Sequence, residues 1–169
     1  MLNILFNGSP YQVTDNAYPG VFKQWELRET SMDYWNKETA KEATKWFIEE
    51  KLKWSKDDIK DKLAYKIFKE NGFIGMVRIF KDSPYLVIDN AYPGVFKPWE
   101  LKCVSRNYWN RETAKEATKW LIEEKLKWSN EDIKNKLDYN VFRKNGLIGM
   151  IRIFNNSPYL VTDNAYPGV

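Results

Sequence analysis

The chain of 169 residues contains no histidine and one cysteine, Cys103. Zinc sites built from four cysteines, three histidines or a mixture of the two are thereby excluded. Serine and cysteine nucleophiles also lack their imidazole base. A single cysteine closes no internal disulfide, which fits a reducing compartment, and Cys103 is expected to be a small or partly buried loop thiol. No apolar run approaches the roughly 18–20 residues of a membrane span. The opening MLNILFNGSP lacks the basic start and long apolar stretch of a secretory signal. A cytoplasmic, soluble protein without membrane contact is the expectation. Glycines number only eight and never cluster ahead of a helix pattern, so no phosphate-cradling loop is present.

What the chain has in quantity is rings. Eight Trp, ten Tyr and nine Phe predict a core built more on rings than on aliphatic side chains. The net charge of +4 is spread along the chain, which permits nucleic-acid binding without requiring it.

The sequence also repeats. SPYQVTDNAYPGVFKQWEL begins at Ser9, SPYLVIDNAYPGVFKPWEL at Ser83 and SPYLVTDNAYPGV at Ser157, a spacing of 74 residues each time. Tyr34–Val95 and Tyr108–Val169 agree, without a gap, at roughly three quarters of positions, the signature of tandem repetition. Residues 1–33 then read as the C-terminal half of a unit, 34–107 as a complete unit and 108–169 as a second unit truncated at its end.

Each unit reads as helices. Asn36 is placed to cap a helix with Glu38 in its first turn, where the helix dipole favours an anion. Ala40, Ala43, Trp46, Phe47 and Trp54 fall on one face of that helix, so Trp46 and Trp54, with Trp120 and Trp128 in the second copy, are expected to be buried. Ser55-Lys56-Asp57-Asp58 and Ser129-Asn130-Glu131-Asp132 carry the Ser-x-x-acid start of a further helix. Asn71-Gly72 marks a left-handed turn. Ser83-Pro84 supplies a cap and a first-turn proline. The expected fold class is all-α: tandem 74-residue repeats of helix-turn-helix-like units packed as a short array.

Within that outline, a Ser-capped short helix followed by a helix carrying basic residues has the form of a helix-turn-helix. The reading helix would begin near Lys66 and Asn140. Lys66, Lys69 and Asn71 in one unit, and Asn140, Arg143, Lys144 and Asn145 in the other, are candidate nucleic-acid contacts, since cations and amides reach phosphates and base edges; the alternative is a solvated helix face. Arg78 and Arg152 stand in the apolar runs MVRIF and MIRIF. They are expected to form structural ion pairs with Asp89 and Asp163, because a buried arginine must be paired. Glu49-Glu50 and Glu123-Glu124 read as solvated surface with i,i+4 lysine partners. No catalytic residue, metal site or cofactor is expected.

At NAYPGVFKPWEL, YWNRETAKEATKWLIEEKLKW and FRKNGLIGM the chain resembles a tandem helical repeat of uncharacterised proteins from phages and prophages of Gram-positive bacteria. In pattern, the order helix, helix, FxxxGhhGhh (h, apolar) is similar to small DNA-binding repeats that accompany homing endonucleases. That similarity implies DNA contact by the helix containing Phe68 and Phe142, and it carries over no catalytic residue. Three readings result: a non-enzymatic double-stranded DNA-binding module, a module that binds a host protein, and a structural repeat that associates head to tail through its open ends.

Overall fold

A computed structural model describes residues 5–27, 30–102, 104 and 106–168. Cys103 lies outside the described residues. The architecture is all-helical, a tandem repeat with no strand among the described residues. Among the same residues no helix is long and apolar enough to cross a membrane. Internal contacts divide the chain between Phe96 and Lys97.

The first unit contains α1 (Pro10–Ala17), α2 (Lys37–Lys45), α3 (Lys56–Lys62), α4 (Tyr65–Glu70), α5 (Ile74–Arg78) and α6 (Pro84–Ala91). The second contains α7 (Arg111–Lys119), α8 (Asn130–Lys136), α9 (Tyr139–Lys144), α10 (Ile148–Arg152) and α11 (Pro158–Ala165). The starts of α2, α3, α6, α8 and α11 obey the capping chemistry of the sequence. Asn36 Oδ1 accepts from the amides of Glu38 and Thr39 at 2.9 and 3.0 Å. Ser55 and Asp58 cap each other's amides at 2.9 and 3.1 Å, and Ser129 and Asp132 do the same at 2.9 and 3.2 Å. Ser83 and Ser157 cap α6 and α11 ahead of a first-turn proline. Gly72 and Gly146, at φ of +81° and +76°, turn the chain after α4 and α9.

The face expected of α2 is correct only as far as its end. Ala40, Ala43, Phe47 and Ile48 are buried, but from Trp46 to Lys51 the helix widens into a π-helical turn, and Trp120–Leu126 repeats it. Residue spacing changes there, so the 3.6-residue pattern no longer places side chains. Lys53 and Lys127, at φ +53°, then reverse the chain. Trp46, Trp54, Trp120 and Trp128 are equivalent in the two units but only half-buried. The buried indoles are Trp35, Trp99 and Trp109.

The core of the first unit contains a ring cluster, but aliphatic side chains such as Ile48, Ile59, Leu63, Val77, Val87 and Ile88 are buried in greater number than rings, contrary to the expectation of a mainly ring-built core. Phe47 stands 5.9 Å from Phe68 and 4.9 Å from Phe73, and Trp35 packs on Phe73 at 6.1 Å. In the second unit Leu121 and Leu147 replace two of these rings around Phe142. Each unit closes by seating its last helix on its first long one, α6 on α2 and α11 on α7. Val87, Ile88 and Ala91 of α6, and Val161 and Ala165 of α11, are buried in that contact.

Gly75 and Gly149 lie inside α5 and α10 because an indole occupies the space of a side chain. A Cβ on Gly149 would meet Trp109 Nε1 at 2.8 Å and Cδ1 at 3.0 Å. Gly149→Ala therefore lowers the melting temperature: overpacking of about 1–3 kcal/mol outweighs the roughly 1 kcal/mol that alanine contributes as a helix former. A thermal melt that rises instead would show that Trp109 yields freely.

Candidate functional site

The α3–α4 and α8–α9 elements carry the candidate nucleic-acid contacts. Two residues, Leu63 and Ala64, separate α3 from α4. Ile59, Leu63 and Phe68 point inward and are buried, while Lys66 and Lys69 are exposed. Asn140, Arg143 and Lys144 are exposed on α9. The asparagines that end α4 and α9 do other work. Asn71 Nδ2 donates to the Ile67 carbonyl at 2.8 Å and Asn145 Nδ2 to the Val141 carbonyl at 2.7 Å. Each amide thus spends one of its two N–H donors on its own helix end. Lys66 Nζ lies 3.5 Å from Glu70 one turn on, and Asn140 Nδ2 donates to Asp138 at 3.4 Å.

The expected pairs of Arg78 with Asp89 and of Arg152 with Asp163 are not formed among the described residues. Met76 and Val77, like Met150 and Ile151, take the inward side of a five-residue helix. The next position lies about 100° further round, and both arginines are exposed there. Asp89 instead accepts from the Gly94 amide at 3.2 Å, as Asp15 does from Gly20 at 3.0 Å, bracing the Pro-Gly turn.

Two further features are repeated or open. Tyr92 Oη donates to Glu49 Oε1 at 2.7 Å, and Asn90 Nδ2 to the Lys37 carbonyl at 2.9 Å. Tyr166 with Glu123 and Asn164 with Arg111 repeat both bonds at the same lengths. Lys45 and Lys119 stand over the two tyrosine rings at 5.9 and 5.7 Å. Burial, the hydrogen bond to the carboxylate and its charge push both phenols well above their ordinary value. Glu49 and Glu123 are thus tyrosine acceptors and not merely solvated surface beside lysines. The signal that identifies them is the Glu-to-Tyr spacing of 43 residues, present in both copies. In the second unit a groove of about 480 Å³ opens between α8 and α11, lined by Ile133, Leu137, Tyr159, Thr162 and Tyr166. Tyr159 on its rim is 73% exposed. Among the described residues no group of three acidic or sulfur side chains converges to hold a metal ion.

A family model described as a protein of unknown function (DUF4046) matches residues 14–97 and again 99–169. The chain belongs to this family. No curated protein and no solved structure matches it. Each of the two DUF4046 segments contains one whole helix seating, with its Asn and Tyr bonds.

The acid-base behaviour of the caps is testable. Lys62 donates to Asp58 at 2.6 Å, and the Ser55 amide and hydroxyl donate as well. These bonds hold the Asp58 carboxyl at about 2, and the Lys136 and Ser129 set holds Asp132 at about 2. The folded values lie below the ordinary 3.8, so the stabilisation is present above that value and disappears as pH falls through about 2. Asp58→Asn with Asp132→Asn should be less stable than the parent in urea at neutral pH. The difference should vanish near pH 2, and a constant offset would rule out this titration.

Proposed function

We propose that the chain is a non-enzymatic module that binds double-stranded nucleic acid, DNA in the first instance, through its phosphates. The observation that carries this reading is the exposed cation set on the short helices. Lys69, Arg78, Arg143, Lys144 and Arg152 are all exposed, and none is held in an ion pair among the described residues. The second unit is the stronger candidate. Where α4 has Lys66 paired to Glu70, α9 has Asn140 and Lys144, so Arg143 and Lys144 stand together without an acid one turn away.

The Asn71 and Asn145 amides each spend one donor on a helix end, so the reading rests on the cations and on their attraction to phosphates. Cations of this kind position a duplex without reading its sequence. Binding is therefore expected to be salt-dependent and indifferent to base sequence. The pattern resemblance to the DNA-binding repeats of homing endonucleases supports the same class of ligand. A second reading, a host-protein partner of phage type, is favoured by the apolar groove between α8 and α11.

Fluorescence anisotropy with labelled duplexes of unrelated sequence tests the first reading. If each unit neutralises two or three phosphates, the log–log salt slope is roughly −4 to −5. Arg143→Ala with Lys144→Ala should reduce its magnitude by about two with the circular dichroism unchanged. Salt-insensitive binding, or a double variant that binds as the parent does, would reject the nucleic-acid reading in favour of the protein partner.

A further inference from the structure

The two units share a tryptophan pair that neither the caps nor the helix seating uses. Trp25 meets Trp46 with ring centroids 6.3 Å apart and planes tilted by 59°, and Trp99 meets Trp120 at 6.2 Å and 59°. A lysine ammonium stands over the second indole of each pair, Lys51 at 5.8 Å and Lys125 at 5.3 Å. Trp25 and Trp99 each keep a buried Nε1 without an acceptor, a cost that natural cores seldom carry. Trp99 and Trp120 lie far from either end of the chain. In the first unit the pair walls a pocket of about 640 Å³, together with Phe73, Asn71, Lys51 and Glu50. Glu26 also borders it, but its Oε2 accepts from the Lys23 amide at 2.7 Å. Trp46 is half-buried, and the lysine over its face is exposed and joins no ion pair among the described residues. Asn71 spends one N–H on the Ile67 carbonyl. Its second N–H and its Oδ1 make no bond among the described residues, and an amide with both free matches the donor and acceptor of a base edge. Asn71 also ends α4, the helix that carries Lys69.

We propose that this pocket takes in one unpaired nucleobase of a bound nucleic-acid strand. The inference rests on the nucleic-acid reading above and extends it from phosphates to a base. The base stacks on the face of Trp46 that Lys51 covers, and the amide of Asn71 meets its edge. Stacking on an indole is indifferent to base identity, since every base has a π-face. The displaced Lys51 ammonium moves to the phosphate of the same nucleotide, exchanging a cation–π contact for a charge-assisted bond. A fully paired duplex must first unstack a base to fill the pocket, which costs free energy that an unpaired base has already lost. In the second unit Leu147 stands where the first has Phe73, so the first pocket has one ring more and is the preferred site.

Fluorescence anisotropy of the full chain with three labelled DNA duplexes decides the matter. One is fully paired, one has a single-nucleotide bulge, and one has the same bulge without its base. Backbone charge is equal in the last two, so their difference reports the base alone. The parent should bind the bulged base about tenfold more tightly than the abasic bulge. Trp46→Leu should abolish that difference and leave the affinity for the paired duplex unchanged. If Trp46→Leu loses its helical circular dichroism, Lys51→Glu, at an exposed side chain, takes its place and should shrink the difference. Equal binding of the two bulges by the parent would overturn the base pocket and leave the phosphate reading standing. So would a difference that folded Trp46→Leu, or Lys51→Glu, leaves intact. Failure to bind any of the three duplexes would reject both.

Discussion

Helices of eight residues such as α6 and α11 are too short to persist alone in water, where roughly 12–15 residues are marginal even for favourable sequences. They persist here because each lies on the long capped helix of its unit, buries its valine and alanine, and is held at two points by the Asn and Tyr bonds. These bonds join residues 43 and 53 positions apart. They close each unit around the short helices between, which have five to seven residues each and no means of standing alone. The cation-bearing surface of α4 and α9 therefore has a defined shape only while the seating holds.

The π-helical turn supplies the acid that the seated helix's tyrosine bonds to. Leu52 N–H reaches back to the Phe47 carbonyl at 2.9 Å, one residue further than in an α-helix. The widened turn carries Glu49 and Glu123, the acceptors for the two tyrosines, and carries Trp54 and Trp128 away from the core face. π-turns are rare and recur at functional positions; in this chain the position is a docking site for a helix.

The two units show how far drift can go while this contact stays fixed. Phe47 and Phe73 become Leu121 and Leu147, and Ile88 becomes Thr162, which lightens the second core. The Asn, Tyr and Glu of the seating and the Asn36, Ser55 and Ser83 caps recur unchanged, as do Gly75 and Gly149 under their indoles, while the uncapped Ala64 start of α4 becomes an Asp138 cap on α9. Charge moves more freely. The Lys66–Glu70 turn of α4 becomes Asn140 and Lys144 in α9, so one surface neutralises itself and the other collects cations.

Much of the local structure is legible in the sequence because it depends on near neighbours. The 74-residue period, the Asn36, Ser55, Ser83 and Ser129 caps, the Asn-Gly turns and the all-helical class rest on contacts within a few residues. Legibility ends where a residue's environment is set from far away. Arg78 and Arg152 resemble buried partners of aspartates, because a charge amid apolar residues reads as buried in one dimension; a five-residue helix turns that position to solvent. Trp54 and Trp128 resemble core residues only while a 3.6-residue count is carried across a turn that obeys a different one. Asn71 and Asn145 are free to meet a ligand in the sequence pattern, but the helix ends claim one donor of each amide. Glu49 reads as surface because the tyrosine that binds it lies 43 residues away. Sequence alone determined where helices begin, where they turn and that the unit recurs, since those are local hydrogen-bonding choices. Which side chains are buried, paired or left to face a partner was decided only by the seating of one helix on another, a long-range contact that no local pattern encodes.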